Sequence, residues 1–477
     1  MADAHPSSVP PLADPLAANI AAPAEATQSQ SLLKRMLALG TGRTAKHALG
    51  TLFLQAGSIA IRLVLGVVLA RTLGAEKYGI YTYVTALVLV LHVPAALGLP
   101  QLLVREVAVL LERDQPGLLR GLLKTANRWV LGAATLISLS LLAASLWRGQ
   151  SWSSPETASL WLGLILLPLL SLCAIQQGAL QGLGHILPGQ VSLLVIQPGL
   201  LLGIALCAYL FLGPSQLSAP LTVAAHVFAA FIALLCSSWL LHRNKPKALA
   251  SSPSLYRPGA WFRSAVPFFG LAGLVVLSGR IDVVMVGWFR PPDEVGIYRA
   301  AVTAGSVVLF GLEALNMAIA PRLARMWENK EIPGLQQLAT RSAWSATLYA
   351  LPFFFLFAFA GDLALGLAFG EEFAVGSTAL LIIGTGQVIN AAFGSVSVLL
   401  NMTGHQRWTL IGLAVAAVVN LSLNAWLTPL HGIIGAAIAS TAALAAWKII
   451  LFIQVRRVLG VNASILGVLP MRRAKSI

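Results

Sequence analysis

Long apolar runs separated by short polar segments are the feature that most constrains how this chain can fold. Runs of about 20 residues recur, which is the length at which a helix crosses the roughly 30 Å hydrocarbon core of a bilayer. Only 10% of the 477 residues are charged and 57% are hydrophobic. Because lipid offers no partner to a backbone N–H or C=O group, such runs are expected to be helices, and they lack the alternating polarity of membrane strands. The sequence therefore predicts an all-α membrane protein.

Twelve spans can be placed along the chain. They lie near residues 48–70, 80–104, 121–147, 157–182, 188–212, 219–242, 264–289, 296–321, 338–360, 375–401, 407–428 and 432–455. An even number of spans puts both termini on the same side of the membrane.

The distribution of basic residues predicts which side that is. Counted with the adjacent helix ends, the termini and the loops on their side hold 24 of the 32 Lys and Arg residues. The opposite loops and their helix ends hold five, Arg299 among them, and the spans hold three. By the positive-inside rule, both termini are expected to be cytoplasmic. The net charge of +15 is then a consequence of topology, and no nucleic-acid partner is expected.

A repeated motif predicts an internal duplication. The tripeptide GIY at 79–81 returns at 296–298, and the same shift of 217 residues places Arg105 on Arg322. Two lobes of six spans each would be related by a pseudo-twofold axis along the membrane normal. The predicted parts are a disordered cytoplasmic tail (1–46), an N-terminal lobe (47–242), a cytoplasmic linker (243–263), a C-terminal lobe (264–458) and a basic cytoplasmic tail (459–477).

The first copy of the motif closes the polar stretch LARTLGAEKYGIY, residues 69–81. Gly74 is expected to end the first span, with Arg71 near the lipid headgroups. Tyr78 and Tyr81 suit the membrane interface. This stretch is therefore predicted to be an external turn, and the functional residues are sought in the helices beside it.

Charged residues inside spans are few, because a charge at mid-bilayer costs about 2.5 kcal/mol or more. Arg62 and Arg280 lie at nearly equivalent positions of the two repeats, so both could face a central cavity and bind phosphate or carboxylate. Two alternatives remain open: an internal ion pair, for which Glu313 is the better partner of Arg280, and extension of each arginine towards the membrane surface.

Two carboxylates, Asp282 and Glu313, lie inside predicted spans. Each could couple transport to a proton or sodium ion, or each could have a structural role in an internal ion pair. Lys448 is assigned no function. The sequence contains neither a Walker A motif nor HExxH, CxxC or GxSxG. The external loops are too short for a folded catalytic domain. A transport protein without a metal or organic cofactor is therefore expected, and not an enzyme.

Two longer stretches resemble a known family. QAGSIAIRLVLGVVLARTLGAEKYGIYTYVTALV at 55–88, followed by ALGLPQLLVREVA at 96–108, resembles the start of Wzx-type bacterial polysaccharide and lipid-linked oligosaccharide flippases. SGRIDVVMVGWFRPPDEVGIYRAA at 278–301 fits their second half. These flippases belong to the MATE-like multidrug/oligosaccharidyl-lipid/polysaccharide exporter superfamily. The chain lacks the two additional spans found in the lipid II flippase branch.

The resemblance implies a function. It implies two six-helix lobes around a cavity, in the bacterial inner membrane. It also implies alternating-access movement of an undecaprenyl-diphosphate-linked oligosaccharide for O-antigen, capsule or exopolysaccharide synthesis. An ion gradient or the membrane potential would drive the cycle, with H⁺ or Na⁺ left open, and a glycan polymerase and a chain-length regulator would be partners. Arg62 and Arg280 fit the cationic residues expected to meet the diphosphate.

Two other classes compete with a flippase. A cation-coupled multidrug antiporter of the same fold should carry acidic and aromatic residues in its cavity in place of deep arginines. A membrane polymerase or ligase of the same glycans should carry a large external loop. Arg62 and Arg280 favour the flippase over the first, and the short loops count against the second.

Overall fold

A computed structural model describes residues 43–149, 152, 154–212, 217–246 and 248–468. The chain divides into two units, residues 1–50 and 51–477, and the account below concerns the second. Helices dominate, and no strand occurs in the described ranges. Most of the two predicted tails, 1–46 and 459–477, lies outside the described residues.

The helices follow one another with short connections. They are α1 (Arg43–Ala96), α2 (Leu99–Glu112), α3 (Pro116–Trp147), α4 (Pro155–Gly182), α5 (Ile186–Val191), a π segment (Ser192–Ile196), α6 (Gln197–Leu212), α7 (Ala219–Asn244), α8 (Ala248–Ser251), α9 (Pro258–Phe289), α10 (Pro292–Gly305), α11 (Val307–Glu328), α12 (Ile332–Phe369), a 3-10 turn (Glu371–Gly376), α13 (Ser377–Ala392), α14 (Val396–Met402), α15 (Gln406–Leu459) and a second 3-10 turn (Ile465–Val468).

Ten stretches of the described chain are long and apolar enough to cross a membrane. Two of them contain a glycine with positive φ: Gly74 in α1 (φ 74°) and Gly432 in α15 (φ 57°). A continuous helix of 54 residues would be about 80 Å long at 1.5 Å per residue, far longer than a bilayer is thick. Each glycine therefore divides its helix into two spans, which gives the twelve predicted from sequence.

We number these spans in chain order. Spans 1 and 2 lie before and after Gly74, and spans 11 and 12 lie before and after Gly432. Spans 3, 4, 6, 7 and 9 are α3, α4, α7, α9 and α12. Span 5 joins α5, the π segment and α6; span 8 joins α10 and α11; span 10 joins the 3-10 turn, α13 and α14. The end of the bundle where spans 1 and 2 meet is called the Gly74 end.

The predicted bounds of span 2 were wrong. Span 2 follows Gly74 directly and ends at Ala96, not at residue 104. Leu97 (φ 55°) and Gly98 (φ 69°) then turn the chain, and α2 begins beyond them. The sequence around this turn is uniformly apolar, so hydropathy alone could not reveal it.

The two lobes share one buried core. A second core lies mainly in the N-terminal lobe but includes Trp261 and Ala265 of span 7, and a third lies within the C-terminal half. The shared core joins side chains such as Leu69 and Tyr78 from the N-terminal half to Val283 and Tyr298 from the C-terminal half. Large apolar residues such as Trp147, which is 91% exposed, cover the outside of the bundle. An apolar exterior over a packed interior suits a protein surrounded by lipid.

The lobes meet at the Gly74 end through the repeated glycines. A Cβ on Gly79 would overlap the carbonyl oxygen of Pro292 and lie 2.9 Å from the amide nitrogen of Gly296. A Cβ on Gly296 would overlap the carbonyl oxygen of Ala75 and lie 3.1 Å from the amide nitrogen of Gly79. Spans 2 and 8 therefore cross at a distance that only glycine permits on both sides. This glycine crossing lies on the pseudo-twofold axis.

A second contact between the lobes caps helix ends at the same side. The guanidinium of Arg71 donates to the carbonyl oxygens of Ala368 (2.8 Å) and Leu367 at the end of span 9. The carboxylate of Glu372 accepts the backbone N–H of Ala75 at the start of span 2 (2.9 Å). Each charge therefore lies at the helix terminus whose dipole it complements. Arg71, expected at the headgroups, instead joins span 1 to span 9.

Candidate substrate cavity

A cavity of about 500 Å³ lies between the lobes on the inner side of the glycine crossing. Spans 1, 2, 4, 5 and 6 of the N-terminal lobe line it together with spans 7 and 8 of the C-terminal lobe. Its polar lining residues are Arg62, Tyr78, Tyr81, Thr82, Thr85, His92, Gln197, His226, Arg280, Arg299, Thr303 and Ser306. No Asp or Glu is among the described residues that line it.

Many residues that line the cavity occupy equivalent positions of the two sequence repeats. Six pairs of lining residues are separated by 217 positions: Leu63 and Arg280, Gly66 and Val283, Thr82 and Arg299, Thr85 and Val302, Ala86 and Thr303, Leu89 and Ser306. Equivalent positions of the two halves thus face one another across the cavity. This geometry supports the predicted duplication independently of the motif.

Three arginines face this space. Arg62 comes from span 1, Arg280 from span 7 and Arg299 from span 8. Arg280 lies within electrostatic range of both of the others, so three positive charges share one compartment. The structure brings Arg62 and Arg280 to one cavity from opposite lobes, as their repeat positions suggested. Their role in binding stays a prediction.

Arg299 and the two tyrosines were not among the predicted site residues. From sequence, Arg299 belongs to the helix ends beside the loops of the Gly74 end, and Tyr78 and Tyr81 are expected at the membrane interface. Tyr78 and Tyr81 are only 2% and 7% exposed, and both line the cavity. The repeat contained the missing signal, because a shift of 217 places Arg299 on Thr82, well inside span 2.

Asp282 does not line the cavity, although it lies within electrostatic range of Arg280. Its carboxylate accepts hydrogen bonds from the Tyr298 hydroxyl (2.8 Å) and the Ser440 hydroxyl (3.3 Å), and from the backbone N–H of Val283 (2.8 Å). It lies two positions after Arg280, which turns the two side chains to different faces of span 7, as expected. Asp282 thus links spans 7, 8 and 12 inside the C-terminal lobe.

The other intramembrane charges lie outside the cavity. Glu313 is exposed, and the ion pairs within the described residues are Arg105–Glu106 and Arg290–Glu294. Glu313 and Arg280 therefore do not form the ion pair that was one of the alternatives for Arg280. Lys448 is 4% exposed, with its ammonium 5.1 Å from the centre of the Trp447 ring.

The two lobes pack unequally below the crossing. The turn after span 2 contacts span 7 closely, since a Cβ on Gly98 would lie 2.6 Å from the carbonyl oxygen of Ala265. On the opposite side, Gly66 of span 1 reaches Thr303 of span 8, but a Cβ on Gly57 would meet no atom within 4 Å. Phe53, one turn earlier, is 77% exposed. The outer face of span 1 is therefore open beside the cavity.

The fold and the site together define a class: a two-lobed, multi-pass helical membrane protein with a central cavity lined by cations. The family model for polysaccharide biosynthesis proteins matches residues 45–327, and the MatE model matches residues 269–426. The chain belongs to the polysaccharide biosynthesis protein family. This confirms the resemblance predicted from residues 55–108 and 278–301.

One curated relative is the probable low-salt glycan biosynthesis flippase Agl15 of Haloferax volcanii. It is 24% identical over 201 residues, which are 41% of this chain and 42% of the relative. The chain thus matches less than half the length of that relative.

Solved structures confirm the MATE-like fold. An inward-facing multidrug resistance MATE family transporter of the MOP superfamily aligns with a TM-score of 0.63 and 11% identity, covering 84% of this chain and 94% of that one. The lipid II flippase MurJ, in an inward closed conformation, aligns with a TM-score of 0.63 and 13% identity, covering 86% and 87%. These likenesses concern the arrangement of helices alone.

Proposed function

We propose that this protein moves an undecaprenyl-diphosphate-linked oligosaccharide across the bacterial cytoplasmic membrane for surface polysaccharide synthesis. The observation that carries the proposal is the lining of the cavity, which holds three arginines and no carboxylate. A guanidinium forms paired, charge-assisted hydrogen bonds with phosphate oxygens. These bonds are stronger in a compartment shielded from water and salt than at a surface. The Arg62, Arg280 and Arg299 side chains would hold the diphosphate.

Alternating access follows from the contacts between the lobes. The glycine crossing and the caps of Arg71 and Glu372 close the cavity at the Gly74 end. We assign that end to the periplasm and both termini to the cytoplasm, because most basic residues lie on the opposite side. The open face of span 1 lets the lipid tail stay in the bilayer while the head group enters the cavity. Rocking of the lobes would then break the crossing and open the other side.

The multidrug antiporter shares this fold, so the choice between the two rests on charge. Three arginines would repel an organic cation, and the lining offers no acid to bind one. A glycan polymerase and a chain-length regulator would act on the product at the periplasmic side. Transport requires no bond to be made or broken, so the protein would not act as an enzyme.

Deletion of the gene tests this function. We expect surface polysaccharide to be lost and lipid-linked oligosaccharide to accumulate in the cytoplasmic leaflet, measured by glycan staining and by mass spectrometry of the lipid extract. Efflux of a cationic dye should be unchanged. Normal surface glycan together with impaired dye efflux would support the antiporter instead.

We propose further that Asp282 couples transport to an ion gradient, with H⁺ or Na⁺ to be decided by experiment. Its carboxylate is 9% exposed within the membrane and is bonded to two hydroxyls and one N–H, with no basic group in ion-pair contact among the described residues. Arg280 lies within electrostatic range but forms no ion pair with it. A carboxylate charge held at mid-bilayer in this way is costly, and a cation or a proton is the partner that we propose for it.

The Asp282→Asn variant should lose the acceleration of flipping by an imposed pH or sodium gradient. Asparagine keeps one oxygen for the hydrogen bonds with Tyr298 and Ser440, so the fold should be retained. Flipping would be measured in proteoliposomes with a fluorescent lipid-linked oligosaccharide. Glu313→Gln is the matched control, because Glu313 is an exposed carboxylate of span 8 away from the cavity. An unaltered gradient dependence in Asp282→Asn would remove this residue as the coupling site.

A further inference from the structure

One wall of the cavity carries a chain of neutral hydrogen bonds. The Tyr81 hydroxyl of span 2 lies 3.2 Å from Nδ1 of His226 in span 6. Nε2 of the same imidazole lies 2.9 Å from the side-chain nitrogen of Gln197 in span 5. All three residues line the cavity. The wall is therefore a connected polar surface distinct from the three arginines.

The chain of bonds leaves hydrogen-bonding capacity at both of its ends. With a neutral imidazole, one ring nitrogen donates and the other accepts. If Nδ1 carries the hydrogen, the Tyr81 hydroxyl keeps its own hydrogen to donate, and the Gln197 carbonyl remains an acceptor. If Nε2 carries it and donates to the Gln197 carbonyl, Gln197 keeps its amide hydrogens, and the Tyr81 oxygen remains an acceptor. Each tautomer thus offers the cavity one donor end and one acceptor end.

The backbone next to Gln197 is unusual. Residues Ser192–Ile196 form a π turn, and the backbone N–H of Gln197 bonds to the carbonyl oxygen of Ser192, five positions earlier. Pro198 follows directly. A π turn inside a membrane helix is rare and occurs often at functional sites, because the extra residue re-aims the side chains beside it. Here it accompanies a glutamine that faces the cavity.

Apolar residues complete the wall. Leu166 and Leu170 of span 4 and Leu193 and Leu201 of span 5 line the same side. Sugar rings present hydroxyl groups at their edge and C–H groups on their faces. A wall with one neutral donor, one neutral acceptor and an apolar floor matches such a ring better than it matches a second phosphate.

We infer that this wall, named here the Tyr81 wall after Tyr81, His226 and Gln197, binds the sugar attached directly to the diphosphate. The inference rests on the proposed function, since it places the sugar beside the three arginines. The arginines would hold the part common to all polyprenyl diphosphates, and the Tyr81 wall would distinguish a glycosylated lipid from a bare one. Tyr81, His226 and Gln197 are thereby specificity-determining residues.

Binding of three lipids to the purified full-length protein in detergent tests this division. The probes are undecaprenyl diphosphate and the same lipid carrying one glucose or one N-acetylglucosamine. The wild-type protein should bind at least one glycosylated lipid about tenfold more tightly than the bare lipid. A site built to hydrogen-bond a hydroxyl discriminates strongly against a ligand that lacks it.

The Tyr81→Phe and Gln197→Leu variants should reduce this ratio to within about twofold, chiefly through weaker binding of the glycosylated lipid. Gln176→Leu is the matched control: Gln176 joins spans 4 and 6 by bonding Ser237 and Ser238 and does not line the cavity. Its ratio should remain that of the wild type. Tyr81→Phe keeps the ring, so its melting temperature checks that the fold is intact.

The outcomes separate the two proposals. Equal binding of all three lipids by the wild type would overturn the sugar subsite and leave the diphosphate site standing. A preserved ratio in both variants would show that the Tyr81 wall only holds helices together, and would also overturn it. Failure to bind even the bare lipid would overturn the proposed function itself.

Discussion

Replacement of Arg62, Arg280 and Arg299 by alanine should abolish transport of the lipid-linked oligosaccharide. Each arginine contributes charge-assisted hydrogen bonds worth about 1.5–3 kcal/mol, so each single variant should lose roughly tenfold in flipping rate. The triple variant should fall below detection. Initial rates in proteoliposomes and surface glycan in cells would measure the loss.

The conservative variants refine this expectation. Lysine at each position keeps the charge but not the paired hydrogen bonds, so activity should be partly retained. Arg105→Ala is the control, because the Arg105 side chain is 66% exposed and lies outside the cavity. Protein abundance must be unchanged in every variant. Normal surface glycan in the Arg62→Ala, Arg280→Ala double variant would refute the role of these arginines.

Alanine at Gly79 or Gly296 should be strongly disruptive although it adds a single carbon. The new Cβ would overlap a backbone carbonyl oxygen of the other lobe, which cannot rotate away as a side chain can. Overpacking of this kind costs about 1–3 kcal/mol, so the melting temperature in detergent should fall by about 2–5 °C and transport should be lost.

Two glycines elsewhere in the spans provide the comparison. A Cβ on Gly57 or Gly199 would meet no atom within 4 Å. Alanine is the better helix former by about 1 kcal/mol, so Gly57→Ala and Gly199→Ala should keep or raise the melting temperature. Opposite changes in melting temperature for the two pairs of variants would separate the effect of the close contact at the glycine crossing from the effect of helix propensity. If Gly79→Ala melted like Gly57→Ala, the close approach of spans 2 and 8 would be refuted.

Much of this architecture could be predicted from sequence, because lipid imposes a simple rule on span length and polarity. The twelve spans, the duplication and the joint position of Arg62 and Arg280 follow from apolar runs and one repeated tripeptide. The turn at Leu97–Gly98 could not be predicted, since it interrupts an apolar run without any change in polarity. Prediction of the site failed where it depended on which side chains are buried. Tyrosine is a typical residue of the membrane–water interface, but Tyr78 and Tyr81 lie inside the bundle.

The residues that the sequence analysis overlooked share one cause. The polar stretch at 69–81 was interpreted as a turn between two helices, but span 2 begins immediately after Gly74. Arg299 was expected at the very end of span 8 for the same reason, although it lies well within α10, which begins at Pro292. A shift of the helix start by one or two turns moves a residue from the membrane surface into the cavity. Helix bounds are the quantity that hydropathy fixes least well.

The glycine crossing also bears on how such a chain could arise. Gly79 lies against Pro292 and Gly296 lies against Ala75, and both pairs join equivalent positions in opposite order. Contacts of this reciprocal form define the isologous interface of a symmetric dimer, in which one surface patch pairs with its own copy. A single six-span half therefore already carries both sides of the contact. An ancestral polypeptide of half this length could have assembled as a homodimer through the same glycine, before gene fusion freed its two copies to diverge, as Thr82 and Arg299 now differ at equivalent positions of the cavity.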